Sequence, residues 1–490
     1  MQSPHLFAAV LRSPLGPAAI ALTLVFCHGS VADIHVAVMA NPQQISNFFG
    51  TNNVRLVFAG GLDSADMYLY YVDFSETGSP SPAVHKIAAT CGAWNQSLSF
   101  DGKWVAYTTG AEGDTSVSTW LCGLSETAQP VLVTKGHANE PRLAKRTDSL
   151  QVIYSTTWQV GDWNGVGKTV FKNIIASVPE SAQSVLYADG SFHAGLSCDR
   201  RYLGTTMFEP NPRMADLRTG TVYALHSLLC TDTIDHKDTV LNIQSCNGSI
   251  SSSGIFTNVM MYLDFGLPQG YVVPSLSPWG FHQRIFVESS AGQVLRWYDF
   301  PDSLWPVARA NVSGCVWTYN EWSVNHPYFG VAANITSRYF PSGQGYATTD
   351  LCEDVYAIDL KTSSFLKLVE STDNSLTSTT NLQWPSLWVE VPSSFAEDST
   401  WLLPGVQNNA ARNRQPFYPA GDVLKLHGET ILSIQPIREL RCFDLRGRLI
   451  LQKSFGDPTV KLSLHGMFAP GVYLLELKTS DTHLVRFVVR

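Results

Sequence analysis

The chain has 490 residues, 44% hydrophobic and 15% charged, with a formal net charge of −8. That length exceeds one ordinary hydrophobic core, and that composition excludes a long disordered chain. No Lys/Arg cluster is long enough to track a phosphate backbone, so nucleic acid is not an expected partner.

The first element is an export signal at 1–32. Arg12 precedes the apolar run Pro17–Phe26, and Ser30, Val31 and Ala32 put small residues at the cleavage positions. The run is too short for a membrane-spanning helix, which needs ~20 residues; the alternative is a buried N-terminal strand. No later segment is long and apolar enough to span as a helix. Of nine cysteines, Cys27 leaves with the signal. Export permits disulfides among the other eight, with buried free thiols as the alternative, and the pairing is not readable. No CxxC pair or His-x-x-x-His spacing occurs, so no metal or cofactor is expected.

The abundant Gly and Pro supply turns, and 13 Trp, 18 Tyr and 24 Phe suit pleated surfaces. Residues 33–400 then carry a repeat. Its clearest unit is Asn95–Thr108, two apolar runs flanking Asp101-Gly102. That dipeptide predicts a type I′ turn with φ > 0 at both central residues. Looser copies are Glu140–Ala144 with Leu150–Tyr154, His193–Tyr202, Asn247–Ser251 with Val259–Tyr262, Asn320–Val324 with Tyr328–Val331, and Trp384–Val391. They align on the apolar anchors Leu98, Leu143, Leu196, Ile250, Trp322 and Leu387. The spacing suits one four-stranded propeller blade per anchor. Outer hairpins recur between anchors, as in Met67–Phe74 with Val84–Ala88 and Asp354–Leu360 with Phe365–Val369.

The repeat region opens on Val54–Phe58 without an inner motif and ends on an inner motif without an outer hairpin. This permutation predicts an all-β, six-bladed propeller in which the last strand completes the first blade. The long interval from Ile250 to Trp322 leaves seven blades open.

The unit Leu98–Tyr107, with Ser-Phe-Asp-Gly-Lys before its second strand, resembles the repeat of TolB-like propellers, with Phe100 where Pro is usual. Gly190–Ser197, Cys246–Ser249 with Leu263–Gly266, Asn320–Ser323 and Trp384–Trp388 together resemble a paralogous TolB-like family of Fibrobacter-type fibre-degrading bacteria. The resemblance covers roughly residues 50–392 and implies the fold rather than an activity; docking of other proteins is the role TolB-like propellers suggest.

A linker is expected at 401–420, rich in Pro, Gly and Asn. Residues 421–490 then carry seven short alternating segments: Asp422–Leu426, Ile431–Ile434, Glu439–Leu445, Arg448–Leu451, Val460–Leu464, Gly471–Leu477 and Leu484–Val489. They predict an Ig-like β-sandwich. Cys442–Arg448, Ala469–Leu474 and Val485–Arg490 resemble the type A sorting domain of type IX secretion cargo, with Phe443 for the usual Tyr and Arg486 and Arg490 where Lys is common. The matching motif positions are Asp444, Gly447, Arg448, Gly471, Tyr473 and Arg486. The resemblance implies the type IX secretion machinery as partner and a secreted or outer cell-surface location. A generic adhesive module is the alternative.

Propeller sites gather where innermost strands enter the channel. The residues just ahead of the anchors are Trp94, Asn95, His137, Glu140, His193, Asn247, Asn320, Glu321 and Trp384. Aromatic faces that stack on sugar C–H groups, with amides and carboxylates for hydroxyls, point to a plant polysaccharide or other glycan. A surface protein is the other expected ligand, and each residue has a structural alternative as a turn cap or packing group. Glu140 and Glu321 could form the acid–base pair of a glycoside hydrolase or polysaccharide lyase. With no Gly-x-Ser-x-Gly, GxGxxG or Walker loop, the reading favours a non-catalytic binding protein over an enzyme.

Overall fold

The computed structural model describes residues 34–402 except 62–65, 77–81, 111–115, 137, 147–148, 157–167, 189–192, 206–212, 226–229, 232–239, 242–245, 264–283, 302–303, 305–311, 343–344 and 373–379; it also describes the strands between 424 and 489. The expected export signal lies outside these residues.

The described chain forms a six-bladed propeller of antiparallel sheets. From the channel outward, blade 1 is Asn381–Val389, Val54–Gly61, Tyr68–Asp73 and His85–Lys86. Blade 2 is Ala93–Leu98, Trp104–Thr109, Ser118–Gly123 and Val131–Thr134. Blade 3 is Asn139–Lys145, Leu150–Ser155 and Thr169–Ile175, with its outer edge shared by Val178–Pro179 and Ser184–Tyr187. Blade 4 is His193–Leu196, Tyr202–Thr205, Arg213–Asp216 and Val222–Ala224. Blade 5 is Cys246–Ile250, Val259–Leu263, Arg284–Ser289 and Val294–Asp299. Blade 6 is Val312–Trp322, Phe329–Ser342, Asp354–Asp359 and Ser364–Ser371, with Gly345–Leu351 on its second strand. The innermost strands pack side by side in ring order, blade 6 meeting blade 1. The long Ile250–Trp322 interval holds the rest of blade 5, so no seventh blade is needed.

Ring closure follows the permutation in the sequence. Asn381–Val389 pairs with Val54–Gly61, joining the end of the repeat region to its beginning. The first described strand, Val36–Val38, adds to the outer edge of blade 6 at Val369–Ser371. Both devices cover strand edges that would otherwise template aggregation. Between them stands a helix the strand pattern did not announce, Pro42–Phe49. It is set by an Asn41/Gln44 capping box and stopped at Gly50 (φ 76°), and it buries Ile45 and Phe49. Phe49 meets Phe329 of blade 6 edge-on at 4.8 Å.

The core lies between blades. Met261, Val287, Tyr298, Trp317, Trp322, Trp401 and Leu402 share the largest described cluster, across blades 5 and 6. Each fully buried Leu- or Phe-sized side chain contributes about 1.5–3 kcal/mol. Trp401 and Leu402, at the start of the expected linker, are 1% exposed. Ahead of them Glu397 accepts from Ser253 Oγ and the Gly254 amide, tying this segment to blade 5.

The turn at Asp101-Gly102 differs from the predicted type I′. Only Gly102 has a positive φ (65°). Its amide donates to Ser99 O at 2.9 Å, closing a turn centred on Phe100 and Asp101. Ser99 Oγ and Asp101 Oδ1 (2.5 Å apart) accept the following amides of Lys103 and Trp104. The side-chain acceptors therefore select the turn. Blade 4 repeats the device with Ser197, Asp199 and Arg200 (φ 61°).

The C-terminal strands form one antiparallel sheet in the order Leu424–His427, Thr430–Phe443, Gly471–Lys478 and Thr482–Val489, with Leu449–Ser463 also on Thr430–Phe443. Two pairs of the seven expected segments are continuous strands. Register shifts at Leu432/Ile437 and Ile437/Glu439 mark one of the joins. Asp444, Gly447 and Arg448 lie outside the described residues; Gly471, Tyr473 and Arg486 lie on paired strands, with Leu474 opposite Arg486.

Candidate functional site

Every innermost strand carries one extra residue relative to its neighbour, just before its anchor. In blade 2, Trp94 pairs with Thr108 but Ser97 pairs with Ala106, so Asn95 and Gln96 together face Tyr107. The same shift sets Glu140-Pro141 against Tyr154, Asn247-Gly248 against Tyr262, Tyr319-Asn320 against Ala332, and Trp384-Pro385 against Phe58. Blade 4 has its shift between His193 and Gly195. Such a β-bulge re-aims side chains and is common beside sites. Here it places Asn95, Glu140, Tyr319 and Trp384 at φ values of 55°, 49°, 47° and 47°. Non-glycine residues seldom adopt that conformation, and four at equivalent positions make a built feature of the channel.

The bulges of blades 1, 2, 3, 5 and 6 line one small cavity open to solvent, with an interior of about 30 Å³. Its walls are Asn95 and Gln96, Glu140 and Arg142, Gly248, Tyr319 to Glu321, and Trp384 with Pro385. One side is aromatic: the Trp384 ring lies 4.6 Å from Tyr319 and 5.7 Å from Trp94, centroid to centroid. Trp94 is fixed by its indole N–H, which donates to Gly110 O at 2.7 Å.

The other side is polar. Asn320 is 3% exposed, and both ends of its amide are without a hydrogen-bond partner among the described residues. Gln96 is 1% exposed; its Nε2 donates to the Gln383 and Trp384 carbonyls, while its Oε1 has no such partner. Each unpaired buried polar atom costs about 1–3 kcal/mol, a cost a ligand's hydrogen bonds would offset. Arg142 Nε lies 3.6 Å from Glu321 Oε1. Burial pushes the Glu321 carboxyl above the usual carboxylate range, against the Arg142 charge and a Ser386 hydrogen bond that favour ionisation.

The structure thus brings together Asn95, Glu140, Asn320, Glu321 and Trp384 from the sequence-derived set. Trp94 supports the aromatic wall from behind. His137 lies outside the described residues; His193 and Asn247 sit on innermost strands, with backbone alone described. Gln96, Arg142, Gly248, Tyr319 and Pro385 line the cavity but were not singled out by sequence. A signal was present: all five fall one to three residues before an anchor.

No family model matches the chain. No curated protein matches it either. Among solved structures it is similar to hydrazine synthase from Kuenenia stuttgartiensis, at 8% identity and TM-score 0.42, over 92% of this chain and 69% of that one. It is also similar to an oligogalacturonate lyase from Vibrio parahaemolyticus, at 9% identity and TM-score 0.35, over 70% and 87%. A third is the Swd1 β-propeller domain from Myceliophteria thermophila, at 9% identity and TM-score 0.30, over 60% and 86%.

Proposed function

We propose that this chain is a secreted or cell-surface propeller that binds a glycan, without catalysis, at the bulge-lined mouth of its channel. The observation that carries the reading is Asn320, a buried amide with donor and acceptor both unpaired beside the aromatic wall of Tyr319 and Trp384. An aromatic face takes sugar C–H groups and an amide takes a hydroxyl as donor and acceptor together.

Export by the type IX secretion machinery, addressed by an Ig-like sandwich at 421–490, completes the proposal. The motif residues Gly471, Tyr473 and Arg486 and the apolar run Pro17–Phe26 support it. The test is retention of the purified chain on plant cell-wall polysaccharides. Retention lost in Trp384→Ala and Asn320→Ala is the expected result. Failure of the intact chain to bind any polysaccharide, or capture of a stable protein partner through the same residues, overturns the glycan assignment.

One observation favours a second reading. Glu321, with its carboxyl pushed toward the protonated form, shares the cavity with Glu140, as a glycosidase or lyase acid–base pair would. Product release from a polysaccharide, abolished by Glu321→Gln, would establish that chemistry; no release with binding intact rejects it.

A further inference from the structure

Gln96 and Asn320 are buried on the extra residues of their bulges, Gln96 against Tyr107 in blade 2 and Asn320 against Ala332 in blade 6. Between them they leave three polar atoms without a partner among the described residues: Gln96 Oε1 and both ends of the Asn320 amide. The free end of Gln96 is its oxygen, because Nε2 donates to the Gln383 and Trp384 carbonyls of blade 1. For Asn320 the orientation does not matter, since either way a donor and an acceptor stay unpaired. Both side chains line the same interior of about 30 Å³.

That interior has the size of water. One water needs about 10–15 Å³ of such space, so there is room for about two, and a buried water makes about three hydrogen bonds to groups that are otherwise unpaired. The unpaired atoms also select water by type. A cation would serve the two oxygens, leave the Asn320 N–H groups unpaired and face the Arg142 guanidinium in the same lining. An anion would serve the N–H groups and meet the two oxygens. Water donates and accepts, so it satisfies all three.

The position gives such a water a structural task. The closing strand Asn381–Val389 lies between the innermost strands of blades 2 and 6. Gln96 already grips it from blade 2 through the Gln383 and Trp384 carbonyls. A water on Gln96 Oε1 and Asn320 carries that grip on to blade 6.

We propose that the cavity is a hydration site: one or two ordered waters, held by Asn320 and Gln96, join blades 2 and 6 beside the strand that closes the ring. This goes beyond the glycan reading and does not depend on it; a ligand hydroxyl that reached Asn320 would take the place of one of these waters.

The test is a high-resolution crystal structure of the purified full chain, with magnetic relaxation dispersion of water nuclei to count long-lived internal waters in solution. Density for water within about 2.7–3.2 Å of both the Asn320 amide and Gln96 Oε1 is the expected result. Asn320→Leu, an apolar side chain of similar size, should lower the count of long-lived waters by one or two. Three results overturn the proposal: a direct bond between Asn320 and Gln96 in a dry cavity, density there that refines as an ion or another bound molecule, or a count unchanged in Asn320→Leu. The crystal structure needs no variant to fold. Neither measurement contains a polysaccharide, so a dry cavity leaves glycan retention to its own assay, and failed retention leaves the waters in place.

Discussion

Gly102→Ala measures how tightly the closing strand is locked to blade 2. Gly102 sits at φ 65°, and an added Cβ would lie 2.6 Å from Trp388 Cδ2 and 2.8 Å from its Cγ. Trp388 cannot easily retreat. Its indole N–H donates to Phe100 O at 2.8 Å, and Arg55 lies over its ring at 5.2 Å. Arg55 is held in turn by Asp73 at 2.9 Å and by Gly102 O at 3.0 Å. The left-handed backbone costs an alanine about 1–2 kcal/mol. Overpacking against a fixed indole adds about 1–3 kcal/mol. The total expected loss is about 2–5 kcal/mol, read as a lower denaturant midpoint by tryptophan fluorescence. Gly220→Ala is the control: its φ is 74°, but nothing lies within 4 Å of the new Cβ. It should lose only the backbone part. Equal losses in the two variants would refute the claim that the Trp388 contact limits this seam.

Three further outcomes are expected. Asp216 is held well below the usual carboxylate range, first by its hydrogen bond from Arg201 and also by the Arg218 and Thr219 amides. Its contribution is present above the unfolded value of about pH 4 and lost as pH falls through the depressed one, so the thermal stability gap to Asp216→Asn should shrink only in acid. A gap constant with pH would refute this. His85 is partly buried, which lowers its pKa, but the bonds to Glu126 (2.8 Å) and Glu76 (2.7 Å) outweigh that and raise it. The His85→Gln gap should be full below about pH 6.5 and vanish as pH rises past the raised value; the opposite slope would reject the clamp. Among the described cysteines outside disulfides, Cys198 is exposed while Cys122, Cys315 and Cys352 are buried. Of these four, iodoacetamide should therefore label Cys198 first, and slowly at neutral pH, because desolvation of its sulfur, with the Asp199 and Glu397 charges, pushes its thiol up to about 11. Fast labelling, or labelling of Cys122, would contradict the packing.

The six anchors and the permuted order were legible because each inner strand carries an apolar anchor, buried at Leu98, Ile250, Trp322 and Leu387 and half-buried at Leu143 and Leu196, and the last repeat lacks its outer hairpin. The helix Pro42–Phe49 was not, because eight residues between strands give too short a period to stand out. The bulge was hidden for a different reason. Positive φ is signalled in sequence by Gly or Asn, yet Glu140, Tyr319 and Trp384 adopt it under tertiary constraint. Choosing pre-anchor residues by chemical type found Asn320 and Glu321 but passed over Tyr319 and Arg142. Reading fixed offsets from the anchors would have found all four. That Arg142 reaches Glu321 depends on blades 3 and 6 facing each other, which only the closed ring reveals.

The strand that completes blade 1 also sets when this protein can fold. Val54–Gly61 leaves the ribosome more than 300 residues before its partner Asn381–Val389. Until then the first blade is a three-stranded sheet with its channel-side edge bare, the kind of edge that recruits foreign strands. The closing contact is about as non-local as the repeat region allows, so it should come late and slowly. Vectorial synthesis therefore delivers five complete blades and a waiting sixth, and the last strand acts as the release switch between a chain that needs shielding and one that does not.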